Sequence, residues 1–172
     1  MPLLRSSFLS PLGEIEVFSS ASRIAYIDFK GQALPTWLME GVTEGHDGAI
    51  DKAISYLQDY FDGAKPVIDF PVCPAMTPFQ EAVRAELLSL PYGETVSYVE
   101  LTRRVERRVG RKSFVRAVAK AVSLNPILIA VPCHRVILSS GEIGGYAGSA
   151  ERKKRLLEFE KRALVSGAKP AK

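Results

Sequence analysis

The chain has 172 residues, of which 47% are hydrophobic and 24% charged, with a formal net charge of +4. That length buries a full core in one domain or two small lobes without disulfide support. Cys73 and Cys133 are the only cysteines, His46 and His134 the only histidines, and no CxxC or HxxxH spacing occurs. A disulfide scaffold is therefore unnecessary and a structural zinc site is not expected, and the lack of a leader or a membrane-length apolar run points to a reduced, cytoplasmic or nuclear setting.

In chain order, Leu3 to Leu9, Glu14 to Ser19 and Arg23 to Phe29 read as short strands, with Pro11-Leu12-Gly13 turning the first pair and Gly31 closing the third. Asp47 to Phe61 reads as a helix carrying Ile50, Ala53, Ile54, Leu57 and Phe61 on one stripe, with Gly63 behind it. No catalytic constellation stands in this stretch. Pro66, Pro71, Pro74 and Pro78 then punctuate an extended connection, across which the charge changes sign. Residues 1–75 hold 5 basic and 10 acidic side chains, whereas residues 76–172 hold 18 and 9. The expected domains are accordingly 1–75 and 76–172.

Thr77-Pro78-Phe79-Gln80 is a capping box with proline at the first helical position, opening a helix that buries Phe79, Val83, Leu87 and Leu90 and ends at Pro91-Tyr92-Gly93. Ser97-Tyr98-Val99-Glu100 is a second such box, placing Tyr98 in the first turn of a helix that packs through Leu101 and Val105, where free amides favour a phosphate. Arg103, Arg104, Arg107, Arg108, Arg111, Lys112 and Arg116 follow against the single acid Glu106. A solvated helix face normally mixes signs, so this excess points to a polyanion, and nucleic acid is the foremost candidate. Ser113 is expected to cap a third helix reaching Leu124, stopped by Asn125-Pro126. Ala117, Val118, Ala121 and Val122 pack inward on it, while Ser113, Arg116, Lys120 and Ser123 share another face. The pair follows helix-turn-helix logic.

The apolar run Ile127 to Val131 reads as a buried strand ending at Pro132, so Cys133 is expected at a tight turn where scaffold meets pocket. A thiol is the natural nucleophile there, but an unperturbed pKa of about 8.5 leaves only a small thiolate fraction at neutral pH. His134 and Arg135 are adjacent, yet consecutive strand side chains diverge, so a turn or a bridging water is needed to pair sulfur with imidazole. Val136 to Leu138 continues as strand, Ser139-Ser140-Gly141 turns it, and Gly144-Gly145-Tyr146-Ala147-Gly148 forms a loop able to line a base pocket. Ser149 caps a last helix with the inward stripe Lys153, Leu156, Leu157, Glu160 and Leu164. A carboxylate on that stripe needs a partner, and His134 is the candidate, because His46 lies in the other lobe.

Together these segments resemble the O6-alkylguanine-DNA alkyltransferases, the methylated-DNA–protein-cysteine methyltransferases. The resemblance rests on Thr77 to Gln80, Pro91 to Tyr98, Arg116-Ala117-Val118, Asn125-Pro126, Pro132 to Val136, Gly145 to Gly148, and Glu151-Arg152-Lys153 through Leu156-Leu157, in family order. It implies an α/β (α+β) fold: a small N-terminal sheet with a helix, and a mainly helical C-terminal lobe whose short sheet bears the cysteine. It implies direct, irreversible, single-turnover transfer of an alkyl group from guanine O6 to Cys133, with no cofactor, and leaves O4-alkylthymine open as a substrate. It further implies that His134 relays the thiol proton through a water and is held by Glu160, that Asn125 supports the cysteine turn, and that Tyr98 crowds the backbone phosphate and assists protonation of the departing base. Arg116 is implied as the finger that replaces the flipped nucleotide. Ser97, Ala117, Lys120, Ser123 and Arg135 complete the DNA-binding set, and Tyr146, Ala147, Gly148, Val131 and Pro132 wall the pocket. The implied partner is double-stranded DNA bearing O6-alkylguanine, met by a monomer with no membrane involvement.

Departures from the family pattern are a longer, more basic segment from Glu106 to Ser113, Phe114, Val115 and Ala119 at positions commonly smaller, Ser149-Ala150 in place of a glycine-led pair, and Arg155 where an aromatic is frequent. Two other readings compete. An alkyltransferase-like protein would recognise alkylated DNA without repairing it, but such relatives typically lack the cysteine. A cysteine hydrolase built on Cys133, His134 and Glu160 would more commonly draw its partners from distant segments.

Overall fold

The structure, a computed structural model, describes residues 2–165. They form two compact units, one from the chain up to Cys73 with Pro126–Ala130, the other from Pro74–Asn125 and the chain from Val131 onward. The content is mixed α/β, as expected: a sheet with one helix in the first unit, helices with a short sheet in the second.

In the first unit β1 (Leu3–Ser10), β2 (Gly13–Ser20), β3 (Arg23–Phe29) and β4 (Val42–Glu44) form one sheet in the order β3-β2-β1-β4. The first three run as an antiparallel meander, and β4 joins β1 in parallel. Ile15, Val17, Phe18, Ile24, Ile27 and Phe29 are buried, so β2 and β3 are apolar well beyond simple alternation. α1 (Gly48–Phe61) packs on this sheet. Its N-cap Asp47 accepts from Ile50 N–H at 2.8 Å and from the Ser19 hydroxyl at 2.6 Å, tying helix start to strand. Tyr56 and Tyr60 are buried on it, a wider stripe than the expected one, while Ile54 and Phe61 are only half-buried.

Pro126–Ala130 lies within the stretch expected to form the second lobe, but its backbone pairs with β3. Ile27 N–H donates to Pro126 O (2.9 Å) and Leu128 N–H to Ile27 O (3.0 Å). The expected strand from Ile127 to Val131 is thereby corrected: only Ile127 bridges, and the chain then turns. Ile129 has φ 71 inside an Ala130 N–H to Leu128 O bond of 2.8 Å, the rarer and strained form of γ-turn, unusual for a β-branched residue. Periodicity cannot distinguish a buried run that pairs from one that coils.

The second unit holds α2 (Pro78–Leu88), β5 (Val96–Ser97), α3 (Tyr98–Val109), α4 (Val115–Ser123), β6 (Val136–Ile137) and α5 (Ala150–Val165). Helices α2, α3 and α4 pack mutually, with Val83, Leu87, Leu101, Val105, Val118 and Val122 buried. Both expected N-caps form: Thr77 Oγ1 accepts from Gln80 N–H at 3.1 Å, and Ser97 Oγ from Glu100 N–H at 3.0 Å. The parallel pair β5–β6 sets Val96 opposite Val136, directly after the cysteine turn. Leu138 and Leu164 were expected in a strand and on a buried stripe. Leu138 lies past the end of β6, and Leu164 is partly exposed, Ala163 being buried in its stead.

The turn between α3 and α4 differs from expectation in one respect. Gly110 ends α3 in the left-handed region (φ 73). Glu106 Oε1 then accepts the Ser113 backbone N–H at 3.1 Å. The N-cap of α4 consequently falls on Phe114, which makes no side-chain cap, and Ser113 does not serve as one.

Candidate active site

Cys133 begins a short 3-10 turn, Cys133–Arg135, entered through Pro132 at φ −83 and ψ 62. Cys133 N–H donates to Val131 O at 2.8 Å across that proline, an inverse γ-turn, and Asn125 Nδ2 donates to the same carbonyl at 2.9 Å. Asn125 thus holds the carbonyl of Val131, two residues before the cysteine. The turn also removes the strand alternation that would have separated Cys133 from its neighbours.

His134 is fully buried, and its Nε2 lies 2.5 Å from Glu160 Oε2. Glu160 also accepts from Gly93 N–H (2.8 Å), Arg135 Nε (2.8 Å) and Arg135 Nη2 (3.3 Å), so both carboxylate oxygens are satisfied in a dry site. Burial alone would push this carboxyl up, but His134 and Arg135 outweigh it and hold Glu160 well below the usual carboxylate range. For His134 burial is the larger influence and lowers its pKa, with the Glu160 charge opposing. Between the two, Glu160 is the charged member and His134 the neutral one, because Arg135 already supplies the carboxylate's counter-charge. The imidazole therefore donates from Nε2 and keeps Nδ1 as its basic nitrogen.

Gly93 suits its position on two counts. Its φ of 82 disfavours any side chain, and a Cβ there would stand 2.1 Å from Leu164 Cδ1.

Arg135 corrects an expectation. It was placed on the DNA-binding surface, but it is 6% exposed, with its Nη1 on Leu90 O at 2.8 Å, two bonds to Glu160, and its guanidinium 5.5 Å above the Tyr92 ring. A buried glutamate draws in the nearest arginine, which is the physical reason that this one faces inward.

A cavity of about 340 Å³ opens beside Cys133, lined by Tyr98, Val122, Ser123, Cys133, Gly145, Tyr146 and Ala147. Such a volume falls in the range of small-molecule sites, roughly 300–1,000 Å³. Cys133 is only 4% exposed, yet it lies on the cavity wall. Tyr146 packs edge-on to His134, with centroids 6.3 Å apart. Of the expected wall, Tyr146 and Ala147 take part, whereas Val131, Pro132 and Gly148 are buried and do not line it. Val131 and Pro132 supply the backbone of the γ-turn instead. Val122 and Ser123, at the end of α4, take their place; Ser123 had been assigned only to the DNA surface.

Tyr98 is half-buried, its hydroxyl pKa raised by burial first and by charge on Cys133 second. Lys153 was legible only as a member of the inward stripe and was not placed in the site. It is fully buried, donates from Nζ to Val136 O (2.6 Å) and Gly145 O (3.2 Å), and sits 5.8 Å over the Tyr98 ring. Burial lowers it to about 8, with charge on Cys133 opposing. A lysine on a buried helical stripe was the available signal.

The remaining expected contacts lie on α3 and α4. Arg116, Ala117, Lys120 and Ser123 are exposed, and Ser97 is half-buried with its hydroxyl engaged as the α3 cap. Ala117, also expected to pack inward, is on the outside. A helix pair with a cationic outer face, standing beside a cavity that holds one thiol, defines a protein that handles an anionic polymer and reacts with it through sulfur.

Comparison with known proteins agrees. Residues 78–162 match the family model described as the 6-O-methylguanine DNA methyltransferase, DNA binding domain. The methylated-DNA–protein-cysteine methyltransferase of Mycobacterium leprae is 38% identical over 163 residues, 91% of this chain and 92% of that protein. The crystal structure of Mycobacterium tuberculosis O6-methylguanine methyltransferase matches with a TM-score of 0.80 and 35% identity over 94% of each chain. That of Mycobacterium tuberculosis OGT in complex with DNA gives 0.78 and 34%, covering 99% of this chain and 96% of that one. The chain belongs to the methylated-DNA–protein-cysteine methyltransferase family.

Proposed function

We propose that this protein repairs DNA by moving an alkyl group from O6 of guanine in a duplex onto Cys133, once per molecule. The observation that carries the assignment is the placement of the Cys133 thiol on a cavity of about 340 Å³ next to a buried His134–Glu160–Arg135 set. Neutral His134, oriented by Glu160, takes the thiol proton on Nδ1, directly or through a water. Lys153, buried and electrostatically coupled to Cys133, is the cation that steadies the thiolate. Sulfur then attacks the alkyl carbon: the S–C bond forms, the C–O6 bond breaks, and the electron pair leaves with guanine O6. Tyr98 keeps its proton because its pKa is raised, so it can donate a hydrogen bond to O6 of the departing guanine. The thioether has no route back, which makes the protein a reagent consumed with each lesion.

Removing a base from the stack costs a few kcal/mol, offset by phosphate contacts on the basic helices and by Arg116 filling the gap. The substrate on this reading is double-stranded DNA with O6-alkylguanine, bound by one protein monomer through residues 76–172. Two cysteines that form no disulfide suit a reducing, cytoplasmic compartment.

The test is intact mass after incubation with duplex DNA carrying O6-methylguanine. The expected result is a gain of one methyl group on the peptide containing Cys133, absent in Cys133→Ala. Full transfer by Cys133→Ala would overturn the assignment, as would stoichiometric binding to the lesion with no change in protein mass.

A further inference from the structure

Phe114 is 80% exposed, and neither the core nor helix capping accounts for it. It occupies the N-cap of α4 without a side-chain cap, at a position where Ser, Thr, Asp or Asn would stabilise the helix. Val115 is 40% exposed and Arg116 is exposed, while Val118, Ala121 and Val122 are buried. The start of α4 thus offers solvent an aromatic ring, an isopropyl group and a guanidinium together. At its other end Val122 and Ser123 line the cavity with Cys133, roughly 14 Å along the helix at 1.5 Å per residue. Arg111 and Lys112 shortly before Phe114 in the chain and Lys120 further along α4 are all exposed, so positive charge flanks the apolar pair in sequence.

A phenyl and an isopropyl group exposed side by side on a cationic surface suit a partner that is anionic outside and apolar within. A duplex meets both conditions, since phosphates take the cations while the stacked bases accept an apolar wedge. Resting on the reading of the site as a DNA alkyltransferase, we propose that Phe114 is an apolar wedge that presses against the base stack beside Arg116 and sets the rate on duplex DNA. Arg116 reaches the stack with a charge, whereas Phe114 reaches it with a π-face, so its contribution is indifferent to base sequence.

Single-turnover transfer measured on two substrates isolates this role: free O6-benzylguanine, which needs only the cavity, and a duplex with one O6-methylguanine. Phe114→Ala is expected to be tenfold or more slower on subsaturating duplex, within twofold of wild type on the free base, and rescued on duplex by Phe114→Trp. The dependence of duplex affinity on salt should keep its slope in Phe114→Ala, because a phenyl ring releases no counterions, and should become shallower in Arg116→Ala. A 2-aminopurine placed beside the lesion should brighten with wild type and not with Phe114→Ala. If Phe114→Ala matches wild type on the duplex, the wedge is overturned while alkyl transfer stands; if wild type reacts with neither substrate, both fall.

Discussion

Two glutamates in the second unit each gather basic side chains, and the contrast between them separates the chemistry of this protein from its recognition surface. Glu160, 1% exposed at the side chain, holds His134 at 2.5 Å and Arg135 at 2.8 Å. Glu100, 36% exposed at the side chain, holds Arg104 at 3.3 Å, Arg103 at 3.6 Å and Arg107 at 3.7 Å. The first cluster is dry, short and supported by the Gly93 amide, so its geometry is fixed and a missing member leaves a buried charge. The second is wet and loose, so its arginines can exchange one carboxylate for a line of phosphates at little cost.

The largest effect is expected from breaking the dry cluster. Glu160→Gln should lower stability by about 3–5 kcal/mol, measured by chemical denaturation, because Arg135 is left buried without its counter-charge. It should also slow uptake of an O6-benzyl group by about 10²–10⁴-fold, read on the free base so that DNA affinity does not enter. The pH response has a definite sign. Folded Glu160 and folded His134 both bind protons less readily than when unfolded, so the unfolded chain takes up more protons on acidification and stability falls. For His134 the loss starts as pH drops through about 6.5, and for Glu160 as it drops below about 4.5. Glu160→Gln should flatten the lower part of that curve. An unchanged acid limb would show that the carboxylate is not held as described.

A smaller effect tests whether the amide under Glu160 is part of the cluster. Gly93→Ala places a Cβ against Leu164 and forces a side chain into φ 82, and should cost about 1–3 kcal/mol. Adding Leu164→Ala removes the clash and leaves the backbone share. Thermal melts of the single and double variants separate the two, and a double variant no more stable than Gly93→Ala would place the whole cost in the backbone.

Much of this was legible from sequence, for identifiable reasons. Thr77 and Ser97 capped helices where their spacing said they would, because a cap is a local bond decided by three or four residues. The Glu160–His134 pair was legible because a carboxylate on an apolar stripe leaves few partners. Arg135 was misplaced because its direction depends on Glu160, 25 residues on, and on Leu90, 45 residues back. Ser113 was assigned a cap that a tertiary bond from Glu106 displaced to Phe114. The run from Ile127 to Val131 had the hydrophobicity of a strand, but the Asn125 amide on Val131 and the γ-turn at Pro132 decide its path, and neither leaves a period in the sequence. Lys153 was visible on its stripe, yet its role rests on two carbonyls that only folding assembles.

The smallest effect belongs to the wet cluster, and it runs in the opposite direction. Glu100→Gln removes three exposed ion pairs at once, but each is worth only a few tenths of a kcal/mol, and the first turn of α3 keeps its Ser97 cap, so stability should change by less than about 1 kcal/mol. DNA affinity should instead rise. Arg103, Arg104 and Arg107 lose their intramolecular competitor and one negative charge leaves the basic face, so a duplex should bind about two- to fivefold tighter at low salt, with the advantage fading as ionic strength shortens the range of the charges. Fluorescence anisotropy with an undamaged duplex across a salt series measures this without transfer. Should Glu100→Gln weaken binding, the α3 arginines are being positioned by Glu100 for the phosphates rather than restrained from them, and the contrast with Glu160 would be one of degree instead of kind.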